Sequence, residues 1–494
     1  MTFPSPSSSL ATALLVCALA ACGTTTFGVA SSDAGTTDGA HPSDATKGSD
    51  SAPTSDASTE ASRGPDALAS GETGAKEASA KDAGVDTSLE TGAKEASAKD
   101  AGVDTSIGDA AEVCVPLTSP ATDVYVNQMY PIRSNCGAAT CPCSTILEGL
   151  VPAAALLPGG TKVTIHVKGS AGGTPAVYNE TGAITLPPKT TLLGDDGSAN
   201  TTISVAGAAM CLDAPCAVHV SGNAVLDGFT VDSPAGNGIE TGPDLTPTVK
   251  NVVVTGALNN GIIVYGNLDL GPSVTASNNK ENGVEVVKTA TGTLTISGAP
   301  TPPGASNAFD NNMGNGINID GSETLMIIGG IGGTTANGNG QGVRFGPIPN
   351  VGLNVITGLV ANMNTGPGGI VAYGGQQLQL RSCTLHENQV GLAYTFVPGK
   401  GSIDLGNATS TGGNDFGSGM GSENTLAGVR ICGGTMPGTV TAFSNTWPHC
   451  TPFMQKPQAC DGGISVVGSG QDVLYDPATP SPGPVTLVAD GGCY

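Results

Sequence analysis

The sequence predicts an all-β protein: a right-handed parallel β-helix with an N-terminal cap, preceded by a disordered linker. Three observations predict it. Between Ser233 and Thr395 one phrase recurs, a small polar turn followed by glycine, an aliphatic residue, any residue and a second aliphatic. Its glycines are Gly238, Gly261, Gly283, Gly316, Gly342, Gly369 and Gly391, so the period runs from 22 to 33 residues, the range of a solenoid coil. Asparagine stands five residues before the glycine at Asn278, Asn311, Asn337 and Asn364, with His386 in the next copy. Asparagine in a turn tolerates left-handed backbone and bonds its neighbours one coil up and down. Alternation supplies the third observation. Ile262 with Val264, Val284 with Val286, Ile317 with Ile319, and Val343 with Phe345 point to one side and stack as ladders,. Glycine and asparagine at every turn would break any helical stripe.

Residues 1–22 read as a leader. The apolar run Leu10 to Ala21 is too short for a membrane span and suits a signal-peptide core,. Leu19, Ala20, Ala21 and Cys22 resemble the bacterial lipobox, although no Lys or Arg precedes the run. That resemblance implies lipidation at Cys22, a membrane partner through the lipid anchor, and export. Gly23 in place of aspartate implies the outer membrane or cell surface. Residues 23–112 are Ser, Thr, Ala, Gly, Asp and Pro with scarcely a large apolar side chain, which predicts a disordered tether,. Within it ETGAKEASAKDAGVDTS occurs unchanged at Glu72–Ser88 and Glu90–Ser106. A flexible chain of this length has a root-mean-square reach of about 50 to 60 Å.

The net charge of −23 excludes nucleic acid, because no basic stripe is present,. It also disfavours acidic polysaccharides unless calcium bridges them. Past Cys22 eleven cysteines remain. In an exported chain they read as disulfides; a zinc site at Cys136, Cys141 and Cys143 lacks a histidine pair,. One cysteine is left over, and Cys383 is the expected one. In the repeat it falls where Gly256, Gly298 and Gly358 fall, a column in which a cysteine serves as a small apolar filler,.

Residues 113–400 carry the N-terminal cap and the coils, and 401–494 the last coils and a cysteine-containing, disulfide-tied cap. The rungs from Ser233 to Thr395 resemble those of the pectin-lyase-like β-helix superfamily. The segment before them resembles the N-terminal cap of bacterial surface β-helix domains of unknown function, with Tyr178, Glu180, Leu192, Leu193 and Gly194 matching the first coil. The resemblance implies a strand and a helix over the open end. It specifies fold more than activity, since the superfamily includes lyases, hydrolases, epimerases, adhesins and passive repeats.

Chemistry is sought on the outward column between the inward aliphatics. It reads Glu240, Ile263, Glu285, Asn318, Arg344, Val371 and Ala393, and two residues on Tyr265, Val287, Asp320, Gly346 and Tyr373. Glu285, Asp320 and Arg344 are the candidate catalytic residues; Glu240, Asn318, Tyr265 and Tyr373 are the candidate ligand-binding ones. Carboxylates two coils apart would lie roughly 10 Å from each other, the wider spacing of inverting glycosidases. A calcium-assisted lyase would want carboxylates around Ca2+ and a base such as Arg344. The stretch DNNMGNGINIDG, Asp310 to Gly321, has the composition of a calcium loop, but the repeat absorbs most of it. Opposite charges on adjacent rungs also form ordinary salt-bridge ladders. No HExxH, GxSxG or phosphate loop is present,. Two function classes remain. One is a tethered binding module for polysaccharide, matrix or another surface component. The other is a carbohydrate-active enzyme, a polysaccharide lyase or glycoside hydrolase, for which Ile296 to Phe309 could wall the column.

Overall fold

The computed structural model describes residues 114–447 with short interruptions, the longest at 299–305, and beyond them the strands Met454–Gln455, Gln471–Asp476 and Thr486–Val488. The leader, Cys22 and the tether lie outside the described residues. The chain winds as a right-handed parallel β-helix. Its strands fall into three sheets of 13, 12 and 8 strands, visited in turn by each coil, and every strand pairs in parallel with the corresponding strand one coil away. Strands after residue 400 continue these sheets: Ser402–Asp404 extends the 13-stranded one and Ala427–Cys432 the 12-stranded one. No described helix is long and apolar enough to cross a membrane.

The aliphatic ladders form as the alternation requires. Ile262, Val284, Ile317 and Val343 are direct register partners, as are Val264, Val286, Ile319 and Phe345. All eight are buried. A matching ladder in the 13-stranded sheet runs through Leu270, Ile296, Ile327, Ile356 and Leu380. Each such residue contributes about 1.5–3 kcal/mol by leaving water.

The repeat glycine has a steric cause. A Cβ on Gly261, Gly283, Gly316 or Gly342 would lie 2.5 to 2.8 Å from the carbonyl oxygen of the same glycine one coil on. Coils pack at strand spacing there, and only hydrogen fits between them. At Gly316 the added atom would also meet Phe309 O and the Ala336 Cβ, both at 2.9 Å. Gly316→Ala is therefore expected to lower stability by about 1–3 kcal/mol through overpacking. Gly182→Ala, with nothing within 4 Å, should leave the denaturation midpoint in place.

The asparagines differ from the expected single column. A left-handed column runs through Asn278, Asn311, Met363 and Glu387, all at positive φ. One residue further on lies an interior ladder. Asn279, Asn312, Asn339 and Asn364 each donate a backbone N–H to the side-chain oxygen of the next rung, ending on Asn388 and Asn424. Asn337 and His386 belong to a third line with Asn362. Turns of unequal length shift these positions against the glycine.

Cys383 is free and buried. Its register differs from the expected one. Thr357 pairs with Arg381 and Val360 with Thr384, which places Cys383 beside Leu359 in an apolar column rather than beside Gly358. The filler role stands, and burial pushes the thiol up to about 11. Cys136 and Cys143 are bonded to each other and Cys114 to Cys141, so no zinc set forms there. Cys432 is also disulfide-bonded.

The open N-terminal end is covered as the resemblance implied. The strand Asp123–Val126 adds to the 13-stranded sheet, and the helix Ile146–Leu156 lies against the first strands of all three sheets. Thr145 and Glu148 form a capping box at its start,. The buried carboxylate of Glu180 accepts the Ile146 N–H at 2.7 Å and the Leu147 N–H at 3.3 Å. It thereby satisfies orphan donors where the helix dipole favours negative charge. Tyr178 is buried beside it and donates its hydroxyl to Lys168 O at 2.6 Å.

Candidate functional site

The outward column has the expected order. Direct register partners run Glu240, Ile263, Glu285, Asn318, Arg344, Val371 and Ala393 along the 12-stranded sheet. Its exposure differs from expectation: Glu240 is fully buried, and Ile263, Asn318 and Val371 are buried too. Glu285, Asp320, Arg344, Tyr265 and Tyr373 are half-buried. The column is thus two clusters separated by Ile263.

In the first cluster the structure brings together Glu285, Asn318, Asp320, Arg344 and Tyr373. The Asn318 side-chain nitrogen donates to Glu285 Oε2 at 2.7 Å and lies 3.3 Å from Asp320 Oδ2. Arg344 Nη1 donates to Asn318 Oδ1 at 2.7 Å and to Asp320 Oδ1 at 2.5 Å. The guanidinium carbon sits 5.9 Å from the centre of the Tyr373 ring, within cation–π range,. Two carboxylates that share one amide nitrogen lie much closer than the roughly 10 Å expected between coils two apart, because Asp320 stands only one coil beyond Glu285 and the amide draws both inward. Asn282 is an addition that the column reading missed. It donates to Glu285 Oε2 at 2.7 Å, and its own oxygen receives both the backbone and side-chain N–H of Asn315. Its signal was present in NGVEV, where asparagine precedes glutamate by three residues, just ahead of the strand Val284–Val286.

The two carboxyls sit in different environments. Burial raises Glu285 to about 7; the Asn318 hydrogen bond opposes that rise, Asp320 adds to it, and Arg344 opposes it more weakly. Asp320 carries the direct ion pair to Arg344. Near neutral pH the site therefore holds one carboxyl that exchanges its proton readily beside one that is paired with a cation. Within DNNMGNGINIDG the side chain of Asp310 is also occupied, accepting from Thr335 Oγ1 and the Asn337 N–H, so these aspartates are not gathered around one point.

The second cluster holds Glu240, His219 and Tyr265 beneath the loop CLDAPC, closed by a bond between Cys211 and Cys216. Glu240 Oε1 accepts the Leu212 N–H at 2.5 Å and lies 3.7 Å from His219 Nδ1. Tyr265 hydrogen-bonds Asp213 of the same loop, and burial with the neighbouring carboxylates pushes it up to about 12. Burial raises Glu240 and lowers His219, which disfavours charge on both. This loop walls the column at Glu240, where the sequence had suggested Ile296 to Phe309 as the wall. The latter joins Thr293–Ser297 of the 13-stranded sheet to Asn307–Ala308 of the 8-stranded one, so its ends lie on the other two sides of the coil. Its middle, 299–305, is outside the described residues.

No family model and no curated protein matches the chain. Among solved structures, the crystal structure of pectate lyase Pel9A is similar at a TM-score of 0.27 and 15% identity, over 76% of this chain and 80% of that chain.

Proposed function

We propose that the chain is a lipid-anchored envelope protein that holds a β-helix on a long tether and binds polysaccharide, or another hydroxyl-rich surface polymer, along the first cluster of the column. The anchor is Cys22 and the tether is residues 23–112, which together hold the coils well clear of a lipid surface,. One observation carries the binding reading. Glu285, Asn318, Asp320 and Arg344 hydrogen-bond one another across three successive coils, beside the half-buried face of Tyr373. Fixed planar polar groups next to an aromatic ring suit a sugar, which offers hydroxyls at its rim and C–H groups on its face. Because these groups are held by one another, binding needs little side-chain ordering.

The enzyme reading is favoured by a different observation. Glu285, raised to about 7, and Asp320, paired with Arg344, have the environments of an acid and a nucleophile or base,. Their close approach would suit a retaining glycoside hydrolase better than an inverting one.

A panel of neutral and acidic polysaccharides offered to the purified chain, with and without chelator, separates the two. Binding without product is expected, weakened at least tenfold by Arg344→Ala or Tyr373→Ala. Release of new reducing ends or unsaturated sugars, abolished by Glu285→Gln, would refute the binding reading in favour of the enzyme.

A further inference from the structure

The second cluster contains two buried polar atoms that the fold leaves without partners. Among the described residues Glu240 Oε2 and His219 Nδ1 find no hydrogen-bond partner. Glu240 is fully buried and His219 is nearly so. Each such atom costs about 1–3 kcal/mol when nothing replaces its water. They occupy adjacent strands as register partners, with His219 Nδ1 3.7 Å from Glu240 Oε1. One ligand atom each from Cys211, Cys216 and Glu240 lies within 4.8 Å of the others.

We propose that Cys211, Cys216, Glu240 and His219 form a thiol-dependent site for a tetrahedral divalent cation of the zinc class, filled when the bond between the two cysteines is reduced. Two thiolates, one imidazole nitrogen and one carboxylate oxygen are a donor set that zinc accepts. Around zinc, with bonds of about 2.0–2.3 Å, ligand atoms stand about 3.3–3.8 Å apart. The 3.7 Å between His219 Nδ1 and Glu240 Oε1 already matches that spacing. Zinc takes the neutral imidazole, the form that has a free lone pair.

The loop does not depend on the sulfur–sulfur bond to stay in place. Cys211 N–H donates to Ala214 O and Cys216 N–H to Ala209 O, each at 3.0 Å, and the Leu212 N–H rests on Glu240. A phosphine or thiol reductant gives two electrons; the sulfur–sulfur bond breaks; two protons from solvent complete the thiols. The cation then displaces both protons and forms two metal–sulfur bonds. Cys211 is only partly buried and the next two residues are exposed, so a reductant reaches this pair more readily than the buried Cys136 and Cys143.

Cobalt(II) tests the site in the full chain after treatment with a phosphine reductant. One cobalt per chain is expected, with the visible bands of a tetrahedral thiolate complex, displaced by zinc. The Cys211→Ser/Cys216→Ser variant keeps every other cysteine and should lose those bands. Glu240→Gln and His219→Ala should each weaken zinc at least tenfold in chains that still fold when oxidised. Equal cobalt spectra for wild type and the double serine variant would overturn the proposal. So would thiol titration showing the pair reduced with no metal bound, or a pair that stays oxidised in a folded, reductant-treated chain.

Discussion

Replacing Glu323 with glutamine should raise the thermal midpoint strongly at pH 9 and barely move it at pH 5. Glu323 is fully buried two residues before the inward-facing Leu325, and neither of its carboxyl oxygens has a hydrogen-bond partner. Its strand register sets it against glycines on both sides, since Thr324 pairs with Thr293 next to Gly292 and Met326 pairs with Val355 three residues past Gly352. Among the described residues no charge lies near enough to compensate, and burial raises the group to about 8. The sign follows from linkage. Below about pH 4.5 the carboxyl is protonated in both folded and unfolded chains, and no penalty arises. Between about 4.5 and 8 the unfolded chain gives up the proton while the folded chain keeps it, so stability falls by about 1.4 kcal/mol per pH unit and levels off above 8. The full loss is on the order of 5 kcal/mol. Glutamine has the same shape and no charge to lose, so its melting curve should lack this descent. The same midpoint for the wild type at both pH values would show that Glu323 is solvated or paired in solution.

What the sequence made legible follows from where chain length is constant. Strands in the 12-stranded sheet carry no insertions, so the glycine phrase alone aligns Glu285, Asn318 and Arg344 correctly. The turns before it do vary. The interior ladder stands four residues ahead of the glycine at Asn279 and Asn312, three at Asn339 and five at Asn364. A fixed offset therefore mixes ladder and left-handed positions. Cys383 was recognisable as a filler because any column inside the coil tolerates a small apolar atom, even though the column assigned to it was the wrong one. Exposure was less legible than register. Glu240 is covered by a loop that enters from the preceding coil, and its path depends on hydrogen bonds between residues 28 positions apart. The distance between Glu285 and Asp320 was equally hidden, since it is set by how a single amide is turned.

Asn312→Ala should be among the most damaging single substitutions in the coils, while Asn311→Gly next to it should be neutral or mildly stabilising. The two asparagines are neighbours in DNNMGNGINIDG and look interchangeable, but they are present for opposite reasons. Asn311 is exposed and holds φ at 57°. Glycine adopts that conformation without strain, so the change removes a left-handed penalty of about 1 kcal/mol against an equal or smaller entropic cost of glycine in the unfolded chain, about 0.5–1 kcal/mol. Asn312 is buried, and its side-chain oxygen accepts both the backbone and side-chain N–H of Asn279 at 3.0 Å. Its nitrogen donates to Ala276 O and to Asn339 Oδ1, each at 3.1 Å. Alanine removes all four bonds and leaves the Asn279 donors and the Ala276 carbonyl without their partner in a dry interior. At about 1–3 kcal/mol for each unsatisfied group, with some relaxation between coils, the expected loss is about 3–5 kcal/mol. Denaturant midpoints of the two variants measure the contrast. A loss below about 1 kcal/mol for Asn312→Ala would mean that water or a neighbouring rung replaces the ladder bonds, and the asparagine stack would then be a consequence of coil spacing instead of a cause of it.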